Sequence, residues 1–92
     1  NRRVEDIKQW GIRHGKFIET VNKSNKAEYI SKNIKPGDIL ILRENGASHT
    51  GFVTKVYKNG YFDTIEGNRG DKVARARYSP NFKDISGFVR VP

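Results

Sequence analysis

The chain has 92 residues, contains neither cysteine nor methionine, and carries a formal net charge of +8. The absence of cysteine excludes disulfides, cysteine-based zinc sites and a thiol nucleophile within the chain. The longest aliphatic run, residues 39–42, is too short to span a bilayer. The length predicts one small domain, and the basic charge favours polyanionic partners such as nucleic acid, anionic cell-wall polymers or acidic lipids. Because no methionine is present, we also expect the chain to be processed or partial.

The N-terminal part of the chain has helical patterning. Val4, Ile7 and Trp10 recur near helical spacing, and acidic residues fall in the first turn. This pattern predicts a helix over residues 3–14 that ends at Gly15. Residues 17–21 are expected to be extended, and residues 26–33 to form a short second helix.

From residue 35 onward the sequence changes to short β-favouring runs separated by Gly, Asn, Pro and Asp. The runs cover residues 39–43, 50–58, 61–66, 73–78 and 87–91. No repeat or linker interrupts them. The sequence therefore predicts one α+β domain, with an N-terminal helix or helices followed by an antiparallel sheet of about five strands.

The clearest local signal is the Asn-Gly pair at residues 59–60, which lies between two β-favouring runs and predicts a two-residue hairpin turn. That turn would pair Val53 with Glu66 and would place His49, Glu66 and Asn68 on one face of the sheet. In a flat ladder Asn68 lies diagonally beside His49, while Glu66 lies further along its strand. Strand twist or a β-bulge near the glycines would have to close that gap.

A histidine on the same face as a carboxylate and an amide suggests a general base. Catalysis requires that an acceptor hold the second ring nitrogen, and Glu66 or Asn68 can provide it. No serine is placed to act as the nucleophile. His14 and Trp10, both in the first predicted helix, are interpreted as structural. We expect no metal or cofactor, because two histidines without cysteine and scattered carboxylates do not form a zinc site.

Four short motifs follow one another in an order that resembles the C-terminal half of a CHAP domain, the cysteine- and histidine-dependent amidohydrolase/peptidase module with a papain-like fold. They are Lys35-Pro36-Gly37-Asp38-Ile39, Ser48-His49-Thr50-Gly51, Ile65-Glu66-Gly67-Asn68 and Ser86-Gly87-Phe88-Val89-Arg90. Two departures are mild: Thr50 stands where the family often has valine, and Val91 separates Arg90 from Pro92.

This resemblance implies that His49 is the general base, that Glu66 orients it and that Asn68 supports the site. It also implies that the nucleophilic cysteine lies outside this chain, in a second chain or a missing segment, so that the 92 residues alone are inactive. The expected substrate is peptidoglycan. The expected activity is that of a cysteine endopeptidase or an N-acetylmuramoyl-L-alanine amidase, extracellular or associated with the cell wall, as in a phage lysin or an autolysin.

The sequence also allows two other interpretations. The tripeptide Arg69-Gly70-Asp71 resembles an adhesion motif, but it is explained as the loop that leaves the strand containing Glu66. The stronger alternative is a small basic β-module that binds nucleic acid or another polyanion without catalysis. Its candidate contacts are Arg75 and Arg77, which would share one strand face, and the aromatic residues Tyr57, Tyr61, Phe62 and Phe82.

Overall fold

The computed structural model describes residues 2–44, 47–67 and 72–92, and within them the chain forms two helices and six strands. The elements are α1 (Arg2–Arg13), β1 (Phe17–Glu19), α2 (Lys26–Asn33), β2 (Ile39–Glu44), β3 (Ala47–Val56), β4 (Phe62–Gly67), β5 (Val73–Tyr78) and β6 (Ile85–Val89). The predicted α+β class is confirmed. The sixth strand is β1, which forms within the segment that was predicted only to be extended.

Local sequence signals set the bounds of both helices. Helix α1 ends just before Gly15, whose φ of +67° is the left-handed conformation that commonly closes a helix. Helix α2 begins after Asn25, whose side-chain oxygen accepts a hydrogen bond from the backbone N–H of Glu28 at 3.1 Å. The predicted bounds of the second helix, 26–33, are confirmed.

All strand pairs are antiparallel, and the strands lie in the order β1-β6-β2-β3-β4-β5. The aliphatic run of β2 is buried on both faces of this sheet. Ile39 and Ile41 pack in the cluster that contains α1 residues, whereas Leu40 and Leu42 pack in the cluster that contains α2 residues. A strand covered on both faces needs no polar alternation, which explains the uninterrupted aliphatic run.

Residues 57–61 connect β3 to β4, and within them Tyr57 and Tyr61 close a turn of three residues, 58–60, where the sequence predicted two. The backbone N–H of Tyr57 donates to the carbonyl oxygen of Tyr61 at 2.8 Å, and Gly60 has a φ of +87°. A three-residue loop that closes with a residue in the left-handed conformation is a common hairpin connection. The prediction of a two-residue turn is therefore wrong by one position.

A β-bulge shifts the same hairpin by a second position. The pairing of β3 with β4 slips between Val53 and Lys55, so that Val53 pairs with Thr64 and not with Glu66 as predicted. Because the two shifts add up to two positions, the residues keep the faces that were predicted for them. Glu66 consequently lies two residues nearer to His49 than the flat two-residue hairpin would place it.

Candidate active site

His49 lies on β3 opposite Leu42 of β2, on the sheet face that also carries Leu40 and Val53. Its side chain is 39% exposed, whereas that of Glu66 is only 10% exposed. The two side chains meet across the β3–β4 hairpin, with His49 Nε2 2.7 Å from Glu66 Oε1. The structure thus brings together the histidine and the carboxylate that the sequence predicted to share a face.

Gly51 explains how Glu66 can approach β3 so closely. A Cβ atom at position 51 would lie 2.6 Å from Cγ of Glu66 and 3.2 Å from the carbonyl oxygen of Ile65. Real Cβ atoms do not tolerate the shorter of these distances, so a side chain at this position would displace the carboxylate. The glycine of the His-Thr-Gly sequence is therefore a steric requirement of the His49–Glu66 contact.

The second carboxylate oxygen of Glu66 is held by two hydroxyl groups. Thr64 Oγ1 donates to Oε2 at 2.7 Å, and the hydroxyl of Tyr78 donates to the same oxygen at 2.5 Å. Burial raises the pKa of Glu66, but the hydrogen bonds from Tyr78, His49 and Thr64 outweigh it, and the pKa lies below its usual range. The carboxylate is therefore ionised at neutral pH although it is buried.

The hydrogen bond to Glu66 selects the tautomer of His49. A carboxylate only accepts, so Nε2 carries the proton that is donated to Glu66, and the neutral ring presents Nδ1 as a base. Among the described residues none hydrogen-bonds to Nδ1. The arrangement can therefore accept a proton at Nδ1 while Glu66 stabilises the resulting imidazolium at Nε2.

The predicted third site residue, Asn68, and the tripeptide of residues 69–71 lie outside the described residues. Thr64 and Tyr78 were not predicted from the sequence. Thr64 precedes Glu66 by two residues on one strand, so the period of two could have identified it. No local pattern indicates Tyr78, because its contact with Glu66 joins two strands.

Trp10 of α1 and His14, which follows that helix, keep the structural interpretation made from the sequence. Trp10 packs against the cluster that contains Ile39 and Val89, and the ring of His14 stacks on it with centroids 4.6 Å apart. Nδ1 of His14 lies 2.8 Å from the carbonyl oxygen of Trp10. Neither of these contacts positions a side chain for catalysis.

The nucleic-acid interpretation needed aromatic side chains with free faces. Phe62 is fully buried and presents no face on which a base could stack, whereas Phe82 is half-buried against the core. Arg77 donates to Asp63 at 2.7 Å and to the hydroxyl of Tyr57 at 2.7 Å, so one of the two predicted arginine contacts already has protein partners. The structure thus removes part of the surface on which this alternative depended.

Among the described residues there is neither a metal-binding cluster nor a helix that could span a membrane. Ranges 2–44, 47–67 and 72–92 contain no group of three or more His, Cys, Asp or Glu residues that could hold a metal ion. No helix within the same ranges combines the length and the apolar character needed to cross a membrane.

The chain matches a known protein-family model. The model of the CHAP domain matches residues 2–68, a range that includes His49 and Glu66. No curated protein and no solved structure matches the chain. The chain therefore belongs to the CHAP domain family, which indicates peptidoglycan hydrolase-type activity in general.

Proposed function

We propose that this protein is the histidine-bearing part of a cysteine peptidase or amidase that cleaves peptidoglycan. His49 is the general base, Glu66 orients it, and Asn68 supports the site. The observation that carries this proposal is the 2.7 Å contact between His49 Nε2 and the buried carboxylate of Glu66, on a histidine whose side chain is 39% exposed. Such an arrangement fixes one ring nitrogen and leaves the other for chemistry.

The nucleophile comes from outside these 92 residues, because the chain contains no cysteine. It is supplied by a further segment of the protein or by a second chain that docks beside His49. A thiol is the group that this histidine is suited to activate, since an adjacent imidazole lowers the pKa of cysteine and stabilises the thiolate as an ion pair.

The reaction is acyl transfer in two steps. His49 Nδ1 takes the thiol proton, and the thiolate attacks the carbonyl carbon of an amide bond to form a tetrahedral oxyanion. Collapse of this species breaks the carbon–nitrogen bond, and the amine leaves with the proton from the imidazolium. His49 then accepts a proton from the water that hydrolyses the thioester, which releases the acid and regenerates the thiol.

The charge of the chain is consistent with action at the cell wall. With 18 basic and 10 acidic residues, the protein carries +8 at neutral pH and is attracted to peptidoglycan that is surrounded by anionic wall polymers. We propose that the enzyme acts outside the cytoplasm. The scissile bond is the amide between sugar and stem peptide, or a bond within the peptide.

The proposal is tested with the native protein together with any segment or chain that accompanies it. Mass spectrometry under denaturing and non-denaturing conditions identifies the associated polypeptide, and alkylation identifies its cysteine. Hydrolysis of purified peptidoglycan is then measured for wild type, His49→Ala and the alkylated protein. We expect loss of activity in both cases, by about 10²–10⁴-fold for His49→Ala.

His14→Ala is the matched control, because His14 follows the end of α1 and its contacts in the described part of the chain are with Trp10. It should leave hydrolysis near the wild-type rate. Full hydrolysis by a cysteine-free preparation of the 92 residues would contradict the cysteine mechanism. Full activity of His49→Ala would contradict the assignment of the general base.

A further inference from the structure

The two oxygens of the Glu66 carboxylate serve different partners. Oε1 accepts from His49, and Oε2 accepts from the hydroxyls of Thr64 and Tyr78 at 2.7 and 2.5 Å. Glu66 as a whole is 8% exposed. A buried carboxylate with protein donors on both oxygens has its plane fixed, because rotation about its last bond would break hydrogen bonds on either side.

The ring of Tyr78 packs against aromatic residues of the core. It stacks on Phe62 with centroids 5.5 Å apart and contacts Phe82 with centroids 5.7 Å apart. Phe62, which pairs with Tyr78 across β4 and β5, is fully buried. The aromatic packing therefore fixes the direction of the tyrosine hydroxyl before any substrate binds.

Tyr78 and Glu66 are not paired residues of the sheet. Tyr78 lies opposite Phe62, whereas Glu66 lies opposite Ala74, so the long side chain of Tyr78 extends along the sheet to reach the carboxylate. Tyr78 also lies beyond residue 68, where the match to the CHAP domain model ends. The contact thus links the site to a strand outside the matched range.

We propose that Tyr78 is a positioning residue that holds the Glu66 carboxylate so that its other oxygen is presented to His49 Nε2. Thr64 assists from the same strand as Glu66. This inference rests on the proposed function, since an oriented His49 matters only if His49 acts as the base. Tyr78 acts through Glu66 and is not itself a catalytic residue.

The physical effect of Tyr78 is twofold. Its hydrogen bond stabilises the ionised form of a carboxyl group that burial would otherwise favour as neutral, and after burial it is the largest influence on the pKa of Glu66. It also removes rotational freedom from the group that selects the His49 tautomer. The titratable groups that contact Glu66 in the described part of the chain are His49 from β3 and Tyr78 from β5.

The test compares Tyr78→Phe, Thr64→Val and Tyr61→Phe with wild type. Tyr78→Phe keeps the ring that packs on Phe62 and removes only the hydroxyl. Thr64→Val removes the other hydroxyl that donates to Glu66 Oε2, so it tests the same interaction if Tyr78→Phe disturbs the packing. Tyr61→Phe is the matched control, because Tyr61 is 40% exposed and is not one of the donors recorded for Glu66.

Two measurements are made on each variant. NMR titration of the 92-residue chain follows the Glu66 carboxyl carbon and the ring nitrogens of His49, which needs no catalysis. We expect the pKa of Glu66 to rise toward its usual value in Tyr78→Phe, and the fraction of the tautomer protonated at Nε2 to fall. In the active protein, kcat/KM should fall about tenfold through kcat, which corresponds to one hydrogen bond to a charged group.

The outcomes separate this inference from the proposed function. If Tyr78→Phe leaves the Glu66 titration and the His49 tautomer as in wild type, the positioning role is wrong while the role of His49 stands. The role is also wrong if the titration changes but kcat does not, in a protein that His49→Ala inactivates. If His49→Ala is itself fully active, the proposed function and the inference fall together.

Discussion

The Asp38–Arg90 pair and the Glu66–His49 pair each join a buried carboxylate to a basic side chain, yet their surroundings differ. Asp38 Oδ1 and Oδ2 accept from Arg90 Nε and Nη2 at 3.1 and 2.8 Å, and the backbone N–H of Lys35 donates to Oδ2 at 2.8 Å. Arg90 Nη2 also donates to the carbonyl oxygen of Asn33 at 2.6 Å. His49, by contrast, has one ring nitrogen held and no hydrogen bond to the other from the described residues.

This difference in hydrogen bonding divides the four sequence motifs into two that stabilise the fold and two that form the candidate site. The Pro-Gly-Asp motif and the closing strand before Arg90 are joined by the Asp38–Arg90 pair, which connects the end of α2, the following turn and the last strand. The motifs around His49 and Glu66 meet in the second pair. A closed, bidentate pair fixes backbone segments, whereas a pair with an open nitrogen can move a proton.

The largest effect on stability is expected for Arg90→Ala. The Asp38 side chain is 5% exposed, and removal of its partner leaves a buried carboxylate with one recorded backbone donor. The Arg90 side chain is 38% exposed, so water can partly solvate Asp38 once the guanidinium is removed. We therefore expect the free energy of unfolding to fall by about 3 kcal/mol, at the lower end for a broken buried ion pair. Urea unfolding of the chain measures the change.

His49→Ala is the matched comparison for that experiment. Glu66 keeps the hydroxyl donors Thr64 and Tyr78 when the imidazole is removed, so we expect a loss of only about 1 kcal/mol. If Arg90→Ala and His49→Ala lowered the free energy of unfolding equally, the distinction between a structural Asp38–Arg90 pair and a catalytic Glu66–His49 pair would be wrong. Arg90→Lys, which keeps the charge but not the bidentate geometry, should lie between wild type and Arg90→Ala.

A smaller effect on stability, but a direct effect on the site, is expected for Gly51→Ala. The new Cβ would lie 2.6 Å from Cγ of Glu66, so the carboxylate must move away from His49. Overpacking of this kind costs about 1–3 kcal/mol, and hydrolysis of peptidoglycan should fall with the loss of the His49–Glu66 contact. Urea unfolding and the His49 ring-nitrogen spectrum measure the two consequences.

Gly67→Ala provides the control within the same hairpin. A Cβ at position 67 meets no described atom within 4 Å, although the residue adjoins Glu66 in sequence. Its unfolding free energy and His49 spectrum should therefore stay close to those of wild type. If Gly51→Ala also kept the wild-type His49 spectrum, the steric role of Gly51 would be refuted.

Much of this site could be predicted from the sequence, because its signals are local. The period of two along a strand placed His49 and Glu66 on one face, and an error of two positions in register did not alter the faces. The register itself was wrong, because neither the three-residue loop nor the bulge after Val53 is specified by the Asn-Gly pair. The hydroxyl of Tyr78 was missed because its contact depends on the packing of β5 against β4.

The smallest expected effect is on the pH dependence of the unfolding free energy. Comparison of wild type with Glu66→Gln separates the contribution of Glu66 from those of the other acidic groups. The folded-state pKa of Glu66 lies below its ordinary value of 4.5, because hydrogen bonds outweigh burial, so the unfolded chain binds the proton more readily. Its contribution to stability is therefore complete above pH 4.5 and is lost as the pH falls through the lowered value. The difference in unfolding free energy between wild type and Glu66→Gln should be constant at neutral pH and should shift against the wild type in acid.

Urea titrations at a series of pH values between neutral and about pH 3 measure that difference. The pKa of Asp63 is also lowered, by hydrogen bonds from Arg77 and Tyr57. Asp63 is present in both proteins, so its contribution to the pH dependence cancels in the comparison. Tyr78→Phe should flatten the pH dependence, because it removes the hydrogen bond that contributes most to lowering the pKa of Glu66. If the unfolding free energies of wild type and Glu66→Gln changed in parallel down to about pH 3, the three hydrogen-bond donors would not lower the pKa of Glu66, and this prediction would be wrong.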